Sequence, residues 1–69
     1  MDHKTINIEA YLITKEAIQD LNNHHNQTPN LDSRILLGFA MGLDRAIYPH
    51  EKINITENQI NIFKKCIQN

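Results

Sequence analysis

Two arginines, Arg34 and Arg45, carry the most specific binding chemistry in this chain of 69 residues. They lie eleven positions apart, so on one continuous helix they would share a face at a separation of roughly 16 Å. Guanidinium groups bind phosphate through paired hydrogen bonds, and symmetry could gather the arginines of several subunits around a phosphate-bearing ligand. The alternative is a pair of surface arginines bridged to nearby carboxylates, which are Asp32, Asp44 and Glu51.

A second group of candidate binding residues surrounds the predicted start of the first helix. Thr14 can cap that helix, and Lys15 follows immediately, so backbone amides and an ammonium group would favour a phosphate there. Tyr11 precedes them and could stack on a nucleic-acid base. Its alternative role is packing in the core or in an interface.

The remaining reactive side chains form no legible catalytic set. His24 and His25 end the first predicted helix and could bind a metal or a phosphate, although such a pair is more typical of a solvated helix end. Cys66 is a single thiol without a histidine and acid placed to activate it. The sequence has no glycine-rich phosphate loop and no metal-binding motif. We therefore predict that the chain is not an enzyme and holds no metal or cofactor.

Three helices are predicted to position these groups, over residues 14–25, 30–48 and 56–67. Thr14 caps the first, and Pro29 suits the first turn of the second, which Pro49 ends. The third has the clearest start, because Thr56 and Gln59 have the spacing of a capping box. The stretches 6–8 and 53–55 alternate like strands, but at three residues each they leave a minimal ribbon undecided.

The middle helix is predicted to be apolar nearly all round from Ile35 to Leu43. Such a helix is buried on most sides, and a chain of 8.0 kDa has few other elements to cover it. The sequence therefore predicts a homo-oligomer. Gly38 and Gly42, four residues apart, would let another helix approach closely or are merely tolerated there. The predicted fold is all-α: one small helical domain over residues 1–69, with a helical hairpin and a C-terminal amphipathic helix.

Charge and hydropathy exclude several classes of partner. Seven basic and eight acidic residues give a formal net charge of −1, which argues against DNA binding. No stretch approaches the roughly 20 apolar residues that span a bilayer, and no secretion signal is legible. With one free thiol, the chain is expected in the cytoplasm, or in the host cell cytoplasm if it is encoded by a phage.

Two segments resemble a known family. Residues 41–47 (MGLDRAI), together with Leu36 and Pro49, are similar to the second arm of the helical hairpin in phage cyclic-nucleotide sponges, the anti-CBASS and anti-Thoeris proteins. Residues 13–18 (ITKEAI) are similar to part of the family's first helix. The resemblance implies an all-α symmetric oligomer, commonly a hexamer, that binds cyclic di- or trinucleotides without cleaving them.

The resemblance also implies site residues. Arg45 and Thr14 fall on matching motif positions, Tyr11 lies near the family's aromatic, and His25 stands about where a lysine would be wanted. The loop between the hairpin arms is shorter here, and about twenty residues continue past Pro49. The resulting hypothesis is a non-catalytic protein that sequesters a cyclic-nucleotide immune signal between subunits. The alternative is a small helical protein that binds a host regulator or a defence protein.

Overall fold

The computed structural model describes residues 4–25 and 27–68 and contains both helices and strands. In chain order the elements are β1 (Thr5–Glu9), α1 (Tyr11–Asn23), α2 (Pro29–Ala40), β2 (Lys52–Thr56) and α3 (Glu57–Gln68). The all-α prediction is therefore wrong, because the two stretches with alternating isoleucines form strands. Each strand has five residues, two more than its isoleucine alternation indicated.

The two strands form an antiparallel ribbon. Ile6 pairs with Ile55 and Ile8 with Ile53, which places all four isoleucines on one face. Ile53 and Ile55 are buried in the core, and on the opposite face the Asn7 amide donates to the Asn54 side-chain oxygen over 2.8 Å. Burial of Ile53 and Ile55 stabilises a ribbon that would be marginal in isolation.

Helix α1 begins three residues earlier than the sequence predicted, at Tyr11, and ends two residues earlier, at Asn23. The amides of Ala10 and Tyr11 donate to the carbonyls of Glu51 and Pro49, over 2.9 Å each. Because strand-like bonds satisfy these amides, the helix starts without a side-chain cap. Thr14 is consequently not the N-cap: it is buried in the first turn, where its hydroxyl donates to the Tyr11 carbonyl.

Helix α2 ends at Ala40, so the predicted helix over residues 30–48 is wrong in its last eight residues. Gly42 has a positive φ of 76° and lies at the left-handed position that follows the helix. Its amide donates to the Phe39 carbonyl over 3.0 Å, and the amide of Leu43 donates to the Gly38 carbonyl over 2.8 Å. This pair of bonds is a Schellman motif, which reverses the chain well before Pro49.

The segment that follows the turn at Gly42 packs against α2. A Cβ added at Gly38 would overlap the carbonyl oxygen of Arg45, and the Ile47 amide donates to the Arg34 carbonyl over 3.2 Å. The close approach predicted at Gly38 therefore exists, but the neighbour is the backbone of the same chain. Gly42 instead provides the positive φ that the turn requires, and a Cβ added there would have no neighbour within 4 Å.

Helix α3 begins as the sequence indicated, one residue after the predicted cap. The Thr56 amide donates to the Gln59 side-chain oxygen over 2.9 Å, and the Gln59 amide donates to the Thr56 hydroxyl over 3.1 Å. These reciprocal bonds confirm the capping box.

A core between the helices and the inner face of the ribbon holds these elements together. Phe63 from α3 and Leu37 from α2 are its largest helical side chains, and both are essentially inaccessible to solvent. The buried apolar residues are Ala10, Ala17, Leu37, Ala40, Ile47, Ile53, Ile55 and Phe63. Every element except β1 contributes at least one of them.

Candidate docking site

Four large apolar side chains remain exposed along the outer side of α2 and the turn that follows it. They are Leu31 (44% exposed), Ile35 (46%), Phe39 (66%) and Leu43 (39%). Their spacing of four residues places the three helical members on one face, and we call these four residues the apolar row. The sequence predicted that this helix is buried on nearly all sides, whereas the chain's own elements cover only the opposite face, which contains Leu37 and Ala40.

Two shallow hollows flank Ile35 in the apolar row. The first, about 270 Å³ in volume, is lined by Ile35, Phe39, Leu43, Asp44, Arg45 and Ala46. The second, about 210 Å³, is lined by Leu21, Asp32, Ile35 and Leu36. Both are smaller than the roughly 300–1,000 Å³ of sites that hold drug-sized molecules. Neither hollow could therefore enclose a ligand of that size.

A third hollow, of about 260 Å³, lies between α1 and α3. Ala17 and Phe63 in its apolar lining are buried, whereas Ile13 and Ile67 are half-buried and none of the four is classed as exposed. Its other lining residues are Glu16, Asp20, Lys64 and Gln68. It therefore offers a partner less accessible apolar surface than the apolar row does.

Arg45 is held by a carboxylate of its own chain. Its two terminal nitrogens donate to the two carboxylate oxygens of Glu51 over 3.0 and 2.6 Å, and one of them also donates to the Ala46 carbonyl. Glu51 also accepts a bond from the Tyr48 amide. Of the carboxylates that the sequence left open as partners, the structure shows Glu51. These paired hydrogen bonds thereby link two parts of the loop between α2 and β2.

Arg34 and Arg45 do not share a helix face. Arg34 lies on α2, where its Nε donates to the Asn30 carbonyl over 3.4 Å. Arg45 lies beyond the turn at Gly42, so the helical spacing that was to align the two guanidinium groups is absent.

The Arg45–Glu51 pair should make the stability of the fold depend on acid pH. The hydrogen bond from Arg45 is the main cause that lowers the pKa of Glu51. A lowered carboxyl pKa stabilises the folded state above the ordinary glutamate range, and this contribution is lost as the pH falls through the lowered pKa. We expect Arg45→Ala to return the Glu51 pKa towards its ordinary value and Arg45→Lys to restore part of the difference. NMR titration of the Glu51 carboxyl carbon measures this, and an unchanged Glu51 pKa in Arg45→Ala would contradict the assignment.

Among the described residues, the other predicted binding residues lie at separate places in the fold. Thr14 is buried, Lys15 is exposed, and His25 follows the far end of α1 with a φ of 62°. The Tyr11 ring lies edge-on to the His50 ring at 5.8 Å, and His50 Nδ1 is 3.6 Å from a Glu9 carboxylate oxygen. Through these exposed contacts, the loop before β2 meets the end of β1 and the start of α1.

Within residues 4–25 and 27–68, no group of three or more histidine, cysteine or acidic side chains is placed to hold a metal ion. None of the helices there has both the length and the apolar character needed to cross a bilayer. The apolar row is a surface that the other described elements leave exposed. The spacing of Leu31, Ile35 and Phe39 indicated it in the sequence, and the homo-oligomer predicted from that spacing stays a prediction.

A known protein family matches most of this chain. Residues 13–69 match the family model of the PrmC N-terminal domain, a domain associated with methyltransferases. The matched segment includes α2, β2 and α3 and all of α1 after its first two residues, whereas β1 lies outside it. The resemblance to phage cyclic-nucleotide sponges, and the function drawn from it, are therefore wrong, and the match does not support the alternative of a host-regulator or defence-protein binder. No curated protein and no solved structure matches the chain.

Proposed function

This chain belongs to the PrmC N-terminal domain family, and from that membership we propose that it is a non-catalytic docking domain of a methyltransferase system. The apolar row on α2 binds the catalytic part of the methyltransferase. The transfer of the methyl group takes place on that partner, and this chain supplies a binding surface.

The exposed apolar row is the observation that carries the proposal. Exposed apolar patches rimmed by polar residues mark interaction sites on small proteins, and Phe39 is the most exposed member of the row at 66%. Aromatic side chains at the centre of an interface commonly dominate its binding energy. Leu31 and Ile35 continue the same face, so a partner helix or loop would meet a strip of apolar surface along α2.

The proposed partner is a methyltransferase because the family is associated with that activity. The polar clusters of this chain serve its own loops: Arg45 bonds Glu51, and His50 lies beside Glu9. This use of its charged side chains supports a role in binding rather than in catalysis. We further propose a reducing cytoplasmic location, since Cys66 is the single cysteine and has no disulfide.

The test is binding between this chain and the catalytic part of a PrmC methyltransferase from the same organism, with the folding of both checked by circular dichroism. Calorimetry should detect a 1:1 complex. Phe39→Ser should weaken it at least about 10-fold, as expected for a central aromatic side chain. Ile62→Ser, which alters an exposed apolar residue on α3, is the matched control and should bind like the wild type. Absence of a complex, or equal binding by Phe39→Ser, would overturn the proposal.

A further inference from the structure

One of the two hollows beside the apolar row contains a carboxylate without a counter-charge. This hollow lies between α2 and the segment that follows it, and two charged residues, Asp44 and Arg45, contribute to its lining. The guanidinium of Arg45 is already held by both carboxylate oxygens of Glu51. Asp44 is exposed, and among the described residues its carboxylate forms no hydrogen bond or ion pair. The charge that this part of the hollow offers to a partner is therefore negative.

The remaining lining of the hollow is apolar. Ile35, Phe39 and Leu43, three members of the apolar row, line it together with Ala46. Its volume of about 270 Å³ exceeds the roughly 150 Å³ of an apolar cavity that accommodates benzene, so one long side chain can enter it. Apolar walls with a single carboxylate are complementary to a side chain with an aliphatic stem and a positive head. Lysine and arginine have this construction.

We propose that this hollow receives a lysine or arginine side chain of the methyltransferase. The aliphatic stem packs against Ile35 and Leu43, and the positive head binds the Asp44 carboxylate. The exposed ring of Phe39 adds a cation–π contact to the same head. Arginine suits the hollow better than lysine, because its planar guanidinium can donate two hydrogen bonds to a carboxylate and can also stack on an aromatic ring.

This contact rests on the proposed function, because the side chain belongs to the partner proposed above. It adds the chemistry by which that partner is recognised. The apolar row supplies contact area to any apolar surface, whereas Asp44 selects a surface with a positive side chain at one point. A partner with a neutral or acidic residue there is disfavoured, because it would cover the Asp44 carboxylate without a counter-charge.

Charge variants of Asp44 test this contact in the complex with the catalytic part of the methyltransferase. By calorimetry at about 50 mM salt, where screening is weak, Asp44→Lys should reduce the affinity about 10-fold and Asp44→Asn about 3-fold. Asp20→Lys and Asp20→Asn are the matched controls, because Asp20 is exposed on α1 and lines the hollow between α1 and α3 instead. Both should bind like the wild type. Equal affinities of Asp44→Lys and Asp20→Lys, with the fold of each checked by circular dichroism, would overturn the contact.

A small probe tests the same hollow without any methyltransferase. N-acetyl-arginine N-methylamide should shift the NMR signals of Ile35, Leu43 and Asp44 at millimolar concentrations. The neutral isostere N-acetyl-citrulline N-methylamide, at matched ionic strength, should bind at least about 3-fold more weakly because it lacks the positive charge. The Asp44→Asn chain should bind the two probes equally. Equal binding of the two probes by the wild type, or no shift at all, would contradict a site for a cationic side chain.

The two experiments separate this contact from the proposed function. If the arginine probe binds but no methyltransferase complex forms, the proposed function fails and the preference of the hollow for a cationic side chain stands. If the complex forms and Phe39→Ser weakens it while the Asp44 variants do not, the contact at Asp44 fails alone.

Discussion

Replacing Phe63 with alanine should unfold most of the chain at 25 °C. Phe63 is 2% exposed and is the largest fully buried side chain in the described part of the structure. Removal of a buried phenylalanine ring costs about 3–5 kcal/mol, since apolar burial is lost and a cavity remains. A domain of this size rarely has more than about 3–5 kcal/mol of stability in total. The substitution therefore removes nearly all of it.

Far-ultraviolet circular dichroism with urea titration measures this effect. Ile62→Ala is the matched control, because Ile62 is the neighbouring residue on α3 but is 37% exposed. It should change the free energy of unfolding by less than about 1 kcal/mol. If Phe63→Ala keeps the urea midpoint of the wild type, the packing of α3 described above is incorrect.

Gly38→Ala should destabilise the fold by about 2 kcal/mol, although alanine is the better helix former. Helix propensity alone favours alanine over glycine by about 1 kcal/mol. At this position, however, the added Cβ would overlap the Arg45 carbonyl oxygen, which belongs to the backbone and moves only with its whole segment. Overpacking typically costs about 1–3 kcal/mol. Because this overlap is with backbone, we place it at the upper end, about 3 kcal/mol, which leaves a net loss of about 2 kcal/mol after the propensity gain.

Gly42→Ala separates this steric effect from backbone strain. Gly42 has nothing within 4 Å of an added Cβ, but its φ of 76° is unfavourable for alanine. We expect a loss of about 1–2 kcal/mol, and Gly42→Asn should lose less because asparagine tolerates that conformation. Urea midpoints of the three variants provide the comparison. A Gly38→Ala chain as stable as the wild type would show that the segment after α2 does not pack against the helix.

Local sequence signals predicted the elements that depend on local bonds. The capping box of α3 involves residues three apart, so Thr56 and Gln59 were sufficient to place its start. The end of α2 was missed because Gly42 lies inside an apolar run, where Met41 and Leu43 continue the helical pattern. The geometry that makes Gly42 a terminator is visible only in its φ and in the bonds to Phe39 and Gly38.

Features that depend on contacts between distant residues could not be predicted from the sequence. The ribbon joins residues 47 positions apart, and three-residue alternations identify neither partner. The exposure of Ile35 and Phe39 depends on which elements cover α2, so their apolar character alone could not separate an exposed row from a buried one. Arg45 had three carboxylates within reach in sequence, and only the folded segment selects Glu51. The family resemblance failed because its two short patches consist of residues common in many helices.

The antiparallel ribbon has a consequence for how the chain folds during its synthesis on the ribosome. The strand Thr5–Glu9 is synthesised before its partner Lys52–Thr56, which is made only after α1 and α2 have been translated. The helices between them depend on near neighbours and can form early, whereas the ribbon must wait for a long loop to close. Until then Ile6 and Ile8 have no strand to pair with. Completion of the ribbon is therefore a late step, and until then the unpaired β1 strand is available to wrong partners.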